Sequence, residues 1–315
     1  MFQVGTPLRV CRALTGAPAF RRGMGSRRGI SRLSSLRRLI AACCLAVFLP
    51  ATLTDAGIGQ IHSAAKLDAA YTATLLGFPI GQITWTIDMR DNRFSAAASG
   101  ATAGLLRIFA HGHGIADAHG SVAGKQPHAS NFMVSFTSGN SADEIKIVFS
   151  GGKAREYLAH PRTPNPNLVP LTDAYRTGVV DPMTALLIHV PGSGDTSVPA
   201  ACERKIAVFD GHMRYDLRLA FKRLEQVRAD TGYQGPAVVC AVYFTPLAGY
   251  DPNRYAIKYV QAERGMEIWL APLAGTRLMV PFRVSVPTPI GLGVLQATRF
   301  VWTRPTGRSS AVSAN

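Results

Sequence analysis

Residues 212–222 read HMRYDLRLAFK and form the longest stretch of the sequence in which apolar and polar side chains alternate. Its apolar members are Met213, Tyr215, Leu217, Leu219 and Phe221. Successive side chains of a β-strand point to opposite faces, so this alternation predicts a strand with one buried and one solvated face. Such strands are typical of antiparallel sheets that pack one face on a core.

The same period of two occurs earlier in the chain, over residues 82–90 and 145–149. Residues 237–245 (AVVCAVYFT) are apolar on both faces, which predicts a central strand that is covered on both sides. Turn residues separate these runs from further strand candidates. The further strands are predicted at residues 69–76, 93–100, 131–137, 153–159, 205–209, 266–270, 277–286 and 293–302.

Helix signals are few. Asp181-Pro182 is a typical helix start, because Asp caps the first turn and Pro suits the first helical position, and it predicts two helical turns over residues 183–190. Residues 104–110 are a second candidate for a short helix. Strands at short intervals without strand–helix alternation predict a mostly β fold, as a barrel, a half-barrel or a sandwich.

The first 56 residues predict a basic leader. Nine of the 34 Lys and Arg lie there, within a total net charge of +15. Basic residues precede an apolar run of 11 residues at 39–49, then Pro50 and the small residues Thr54 and Ala56. This order is that of a signal peptide cleaved after Ala56, and 11 residues are too few for a membrane-spanning helix, which needs about 20. A retained anchor over residues 39–61 is the alternative, and it would hold the protein at the membrane.

Removal of the leader leaves 25 Lys and Arg against 18 Asp and Glu, a net charge of +7. We therefore expect a periplasmic protein with a mild preference for anionic partners, such as lipid headgroups, and none for nucleic acid. The rest of the chain is predicted to be one β domain over residues 66–302, followed by a flexible tail at 303–315.

Two of the five cysteines, Cys202 and Cys240, lie beyond the leader. An even number in an oxidising compartment predicts a disulfide bond between them. The bond would close a loop of 39 residues and contribute roughly 4 kcal/mol to stability in the chain-entropy model. Two buried free thiols are the alternative.

Several short motifs occur together. They are Tyr71 with GFPIG at 77–81, DPMTA at 181–185, VFDG at 208–211 with RYD at 214–216, Gly235-Pro236 before Cys240, and PLAGY at 246–250. As a set they resemble the bacterial exported family catalogued as domain of unknown function 3108, over about residues 66–302. The resemblance implies an exported protein with a large antiparallel curved sheet, an open or half-barrel similar to lipoprotein carriers, and one or two short helices. It implies no activity and supplies no catalytic residue.

The candidate metal ligands are His111, His113, Asp117 and His119, which share one face if this segment is a strand. Imidazole and carboxylate groups suit Zn²⁺. Residues two apart on a strand lie about 6–7 Å apart, however, and 111 to 119 spans about 26 Å, so one ion cannot reach all four without a bend. His111 and His113 with a distant third ligand are the better set, and a solvated strand face is the alternative.

Two further sets of residues are candidates for binding. A stripe of cations on the 212–222 strand and its exit could contact phosphates or acidic polymers, or could be a solvated row that protects a sheet edge. The stripe comprises Arg214, Arg218, Lys222, Arg223 and Arg228. Aromatic residues on several strands could line a cavity for an acyl chain, or could be core. They are Trp85, Phe132, Trp269, Phe282 and Trp302.

These patterns support three hypotheses. The first, which the composition and the resemblance favour, is a periplasmic protein that binds a lipid or another envelope component and supports envelope integrity, with only peripheral membrane contact after cleavage of the leader. The second is a structural or interaction module with a filled core. The third is a metal-assisted enzyme that uses His111 and His113. No other cofactor is predicted.

Overall fold

The computed structural model describes residues 65–103, 112–122, 126–139, 141–159 and 165–304. The predicted leader, the candidate helix at 104–110 and residues 305–315 of the predicted tail lie outside these ranges. The described residues belong to one compact unit, residues 59–315.

Within these ranges the chain forms fifteen strands and one α-helix. The strands are β1 (Ala65–Leu75), β2 (Phe78–Arg90), β3 (Arg93–Thr102), β4 (Gly112–Ser121), β5 (His128–Ser138), β6 (Ser141–Ser150), β7 (Lys153–Ala159), β8 (Ile188–His189), β9 (Arg204–Phe209), β10 (Arg214–Arg228), β11 (Thr231–Gly232), β12 (Gln234–Ala248), β13 (Glu267–Pro272), β14 (Leu278–Thr288) and β15 (Gly291–Thr303). The helix is α1 (Tyr255–Ala262).

The strands form a single sheet in which neighbours along the main path are antiparallel. Its order is β7-β6-β5-β4-β3-β2-β1-β15-β14-β13-β12-β10-β9, with β8 on β14 and β11 parallel to β15. Most connections are hairpins between sequence neighbours, as the alternating pattern predicts. The predicted fold class, a mostly β protein with a large antiparallel curved sheet, is confirmed.

The two edge strands of this path, β7 and β9, come together. The Tyr157 and Phe209 rings, one on each strand, meet edge to face with centroids 5.4 Å apart. Residues 177–180 bridge the gap: Thr177 pairs with Lys153 of β7, and Val180 pairs with Val208 of β9. The sheet therefore curls past a half-barrel and is nearly closed, and residues 177–180 are termed the closing segment below.

A hydrophobic cluster occupies the interior of this sheet and draws residues from both of its halves. Leu67, Ile87 and Phe132 come from one half, and Phe282 and Phe300 from the other, and all five are buried. Residues beyond the closing segment, including Met183 and Leu187, pack into the same cluster. Burial of such side chains stabilises by about 1.5–3 kcal/mol each, so this cluster is the main source of stability.

A second cluster covers the opposite face of β12 and β13. It includes Val238, Cys240 and Leu270, and it is covered by the segment that carries Val190 and Cys202. Cys202 and Cys240 form the predicted disulfide bond, with Cα atoms 5.5 Å apart. The prediction that the 237–245 strand is apolar because both faces are covered is thereby confirmed for the residues around Cys240.

The prediction of a two-turn helix over residues 183–190 is wrong. Asp181 does cap a turn, since its Oδ1 accepts hydrogen bonds from the backbone N–H groups of Met183 and Thr184, each at 2.9 Å. The turn is a short 3₁₀ helix, Thr184–Leu186, because the next residues leave it to pair as β8 with the start of β14. No described helix is long and apolar enough to cross a membrane.

Candidate functional site

The inner face of β1–β6 is built from rows of directly paired residues, here called rungs. The first rung is buried and consists of Leu67, Ile87, Ala96, Ala118, Phe132 and Ile147. The second consists of Ala69, Trp85, Ala98, Ala116, Val134 and Ile145. Apolar side chains occupy both rungs: the first belongs to the core, and the second packs against it through Ala69 and Trp85, which are buried, while its other members are half-buried.

Glycines interrupt the next two rungs. The third rung runs Tyr71, Ile83, Gly100, Gly114, Phe136 and Asp143, and Ala73, Gly81, Thr102 and Gly112 follow at the strand ends. Four positions on this wall therefore carry no side chain. Glycine in a strand interior weakens the strand and often marks a place where another group approaches the backbone closely.

An apolar pocket of about 360 Å³ lies where the glycines occur. Its described lining includes Ala73, Ile80, Ile83, Ala98 and Val134 together with the four glycines. The volume lies within the range of about 300–1,000 Å³ that is typical of small-molecule sites. Among the described residues, the pocket is open toward the end of the sheet that carries the β1–β2 hairpin; residues 104–111, which connect β3 to β4, lie outside the described ranges.

Phe136 forms one side of this pocket. A Cβ atom added to Gly114 would lie 3.3 Å from Phe136 Cδ2, and one added to Gly112 would lie 3.7 Å from Cε2. The ring thus lies against two glycines and remains 49% exposed. A half-exposed aromatic ring beside an apolar pocket gives an incoming hydrocarbon chain a flat surface to contact.

The surface of the pocket is mostly apolar. In the third rung, the Tyr71 hydroxyl donates a hydrogen bond to the Pro281 carbonyl at 2.7 Å, and burial raises its pKa well above the ordinary value, so the hydroxyl stays neutral. His113 is the one histidine among the described residues that border the pocket, and alternation along β4 places its side chain on the opposite face from Gly112 and Gly114. This arrangement suits the binding of an apolar group.

Comparison with known proteins places the chain in a family. The model described as "Protein of unknown function (DUF3108)" matches residues 70–298, most of the chain. The chain belongs to the DUF3108 family. No curated protein gives a significant match. The family assignment confirms the resemblance inferred from the motifs.

Two solved structures resemble this DUF3108 protein at low identity. A β-barrel-like protein of the DUF1849 family from Brucella abortus is 6% identical, with a TM-score of 0.43, and the match covers 77% of this chain and 98% of that one. A chain from Parabacteroides distasonis, described provisionally as a lipoprotein, is 7% identical, with a TM-score of 0.28, covering 76% of this chain and 96% of that one.

The predicted metal ligands lie on β4 as far as the structure describes them. His113, Asp117 and His119 alternate with inward residues on this strand and share its outer face, with both histidines exposed. His111 lies outside the described residues. Within the described ranges, no group of three or more His, Cys, Asp or Glu side chains is close enough to hold a metal ion. The metal-assisted enzyme therefore stays a prediction.

The five cations of the predicted stripe differ in environment. Arg214 is buried and its Nη2 lies 2.7 Å from Asp216 Oδ1, so it is not part of a solvent-facing row. Arg218 stacks on the Tyr243 ring at 3.8 Å. Lys222 and Arg223 contact Glu267. Arg228 borders a polar pocket of about 270 Å³. The stripe as an anion-binding surface stays a prediction, and three of its cations already have carboxylate partners.

Four of the five predicted cavity aromatics are buried in the interior cluster, and Trp302 packs against it and donates from Nε1 to the Ala274 carbonyl at 2.9 Å. The four are Trp85, Phe132, Trp269 and Phe282. None of the five is among the described residues that line the apolar pocket. Trp269 and Phe282 border the polar pocket, where Trp269 Nε1 and Arg283 Nε have no hydrogen-bond partner among the described residues.

Sequence reasoning missed the glycines that form the pocket. Gly100 lies in a predicted strand, Gly112 and Gly114 lie in a candidate strand, and Gly81 directly precedes the predicted strand at 82–90. Each of the four shares a face with inward apolar residues. The signal that could have found them is glycine at an inward position of an otherwise apolar strand face. The aromatic residues singled out in the sequence lie in the filled part of the sheet, whereas the glycines line the apolar pocket.

Proposed function

We propose that this DUF3108 protein is an exported envelope protein that binds the acyl chain of a lipid. The observation that carries the proposal is the glycine-lined apolar pocket, which opens at one end of an otherwise filled sheet. A hydrocarbon chain would lie along Gly100 and Gly114, beside Phe136, where the wall lacks side chains. Its methylenes would complete the rungs that the glycines leave incomplete.

The size of the pocket sets the strength of this binding. Each buried methylene contributes about 0.8 kcal/mol, so a chain end of about six methylenes gains about 5 kcal/mol, which corresponds to a Kd of order 10⁻⁴ M. Binding through the pocket alone is therefore reversible. Reversible binding suits a protein that takes up and releases a lipid or senses one.

Export is supported by features other than the pocket. The Arg-rich leader with its short apolar run has the organisation of a signal peptide. The Cys202–Cys240 bond is of the kind that persists in oxidising compartments such as the bacterial periplasm. The net charge of +7 beyond the leader favours contact with anionic envelope lipids.

The test fills the pocket from one strand and uses the neighbouring residue as the matched control. Ala98 of β3 lines the pocket, whereas Ala97 is exposed on the opposite face of the same strand. The full chain is expressed in an export-competent bacterium, and each purified protein is delipidated and titrated with the fluorescent fatty acid cis-parinaric acid. We expect Ala98→Leu to weaken binding at least about tenfold and Ala97→Leu to leave it unchanged.

The opposite results decide between the hypotheses. If the wild-type protein does not bind cis-parinaric acid, or if both leucine variants bind it equally well, the pocket is not an acyl site. The filled interaction module would then become the better account of this protein. Thermal unfolding of both variants shows whether a loss of binding has a cause other than loss of fold.

A further inference from the structure

Two hairpin tips lie side by side at the end of the sheet where the pocket opens. The β1–β2 tip and the β14–β15 tip are joined by a hydrogen bond from the Leu76 N–H to the Leu292 carbonyl, at 3.0 Å. A Cβ atom on Gly291 would lie 2.1 Å from Leu76 Cδ2, so Gly291 lets the Leu76 side chain pack across the neighbouring tip. The two tips therefore form one continuous surface.

This surface consists of exposed apolar side chains, termed here the apolar rim. Its members are Leu76, Phe78, Ile290 and Leu292, which are 63%, 64%, 68% and 45% exposed. Residues 75–80 and 286–294, which form the two tips, contain no charged residue. Single exposed apolar residues are ordinary, but a contiguous set marks a surface that contacts another apolar phase or molecule.

Leu76 carries its apolar side chain at a strained backbone position. Leu76 and Gly77 both have positive φ, +54° and +82°, as the two central residues of a tight hairpin turn require. In the β2–β3 hairpin, at the other end of β2, Asp91 and Asn92 fill the equivalent positions, with φ of +45° and +62°. Asp, Asn and Gly tolerate this conformation and leucine does so poorly, so the first tip accepts strain that the second avoids.

The apolar rim is continuous with the apolar pocket. Ile80, two residues after Phe78 on β2, lines the pocket, as does Ala73 on β1. A hydrocarbon chain that passes between the rim and the pocket thus crosses an apolar surface along these two strands. A lipid bilayer fits both features, because it is apolar beneath its headgroups and supplies the acyl chains that the pocket is proposed to bind.

We propose that the apolar rim inserts into the surface of a lipid bilayer, so that the mouth of the pocket faces the acyl chains. The direction of lipid entry rests on the proposed function, whereas insertion of the rim is measured independently of it. Aromatic and aliphatic side chains on uncharged tips penetrate the headgroup boundary, and the net charge of +7 beyond the leader attracts an anionic leaflet. This contact is peripheral and reversible.

The test uses variants that keep the hairpin turn. Leu76→Asn places at a positive-φ position the residue that is preferred before Gly in such turns, so this change preserves the fold while it removes the apolar side chain. It is combined with Ile290→Asn. The control is Leu224→Asn on β10, because Leu224 is a 52% exposed leucine that is not part of the rim.

Flotation with vesicles of phosphatidylethanolamine and phosphatidylglycerol measures the partition of the wild-type protein and the variants. We expect the wild type and Leu224→Asn to float equally and the double rim variant to float at least about tenfold less, including at high salt. Binding of cis-parinaric acid by the rim variant should be unchanged, so that a failure of rim insertion is distinguishable from a failure of the acyl site.

Four outcomes would overturn rim insertion. Three are the absence of flotation for the wild type, equal flotation of the wild type and the double rim variant, and an equal loss in the Leu224→Asn control. A fourth is a dimer-to-monomer change in the rim variant without vesicle binding by the wild type, since the rim would then be a contact between copies of this chain.

Discussion

Glu267 pairs with two of the cations in the predicted anion-binding stripe. It begins β13 and is contacted by Lys222 and by Arg223, whose Nη2 lies 3.1 Å from Oε2. Burial raises the pKa of this carboxyl, but the hydrogen bonds from Lys222 and Arg223 outweigh burial and hold the pKa below its ordinary value. The cations predicted as an anion-binding stripe are in this way partly neutralised within the protein.

This lowered pKa predicts a dependence of stability on pH. The folded protein holds the Glu267 proton less tightly than the unfolded chain does, so the stabilisation is complete above the unfolded pKa of 4.5 and is lost as pH falls through the folded value. We expect Glu267→Gln to lower stability by up to about 1 kcal/mol at neutral pH and by progressively less as the pH falls below 4.5. Thermal unfolding across this range measures the difference, and a constant difference would contradict the assignment.

At the scale of elements, β12 connects the two hydrophobic clusters. Val239 packs in the interior cluster, while Val238 and Cys240 pack under the segment that the disulfide bond attaches. Arg277 also fastens this segment, since its guanidinium donates to the carbonyls of Val190 and Pro191, at 3.0 and 2.7 Å. The outer segment is therefore held both by a covalent bond and by hydrogen bonds.

Removal of the disulfide bond should destabilise the protein without unfolding it. For Cys202→Ala with Cys240→Ala we expect a loss of about 2–4 kcal/mol in the free energy of unfolding, because the unfolded chain regains the freedom of the cross-linked loop. Urea unfolding measures this loss, and reductant should lower the wild type to nearly the same value. A loss below about 1 kcal/mol would show that the cross-link adds little to the hydrogen bonds of Arg277.

Most strands could be predicted from the sequence because their inward and outward residues alternate or because both faces are covered. Residues 153–159 match β7, and the 212–222 and 237–245 runs lie largely in β10 and β12. The short β8 was missed since two residues carry no period, and its pairing with β14 depends on distant contacts. The helix α1 was also missed, although Asp251-Pro252 before it repeats the start signal read at Asp181-Pro182.

The candidate site was less predictable than the fold. A sequence pattern shows which side chains face inward, but not whether the space between them is filled. Trp85 and Gly100 lie in adjacent rungs of one wall, yet the first belongs to the core and the second to the pocket. The difference arises from the registers of β2, β3 and β4, which bring Gly100 and Gly114 together as direct partners.

At the scale of the whole molecule, the closing segment links the two edges of the sheet. The Val180 N–H donates to the Ala207 carbonyl at 3.0 Å, and the Gly178 N–H donates to the Gly152 carbonyl at 2.7 Å. These bonds satisfy edge groups that would otherwise be open to pairing with other chains. Closure therefore protects the edges and completes the wall around the interior cluster.

Val180→Pro removes one of these donors and tests the role of closure. We expect a loss of about 1–3 kcal/mol in stability and faster amide hydrogen exchange in β7 and β9 than in β2 and β3. Val180→Ala is the matched control, because it shortens the side chain and keeps the N–H. Equal exchange in all four strands of the proline variant would argue against a specific role for the segment.

The central claim is that the glycine-lined end of the sheet holds an acyl chain. Native mass spectrometry of the protein purified from an export-competent bacterium, with cis-parinaric acid supplied above the expected Kd of order 10⁻⁴ M, tests it most directly, with Ala98→Leu and Ala97→Leu measured alongside. We predict a mass excess of one lipid on the wild type and on Ala97→Leu, and its loss from Ala98→Leu. A bare mass for the wild type, or an equal excess on Ala98→Leu, would contradict the claim.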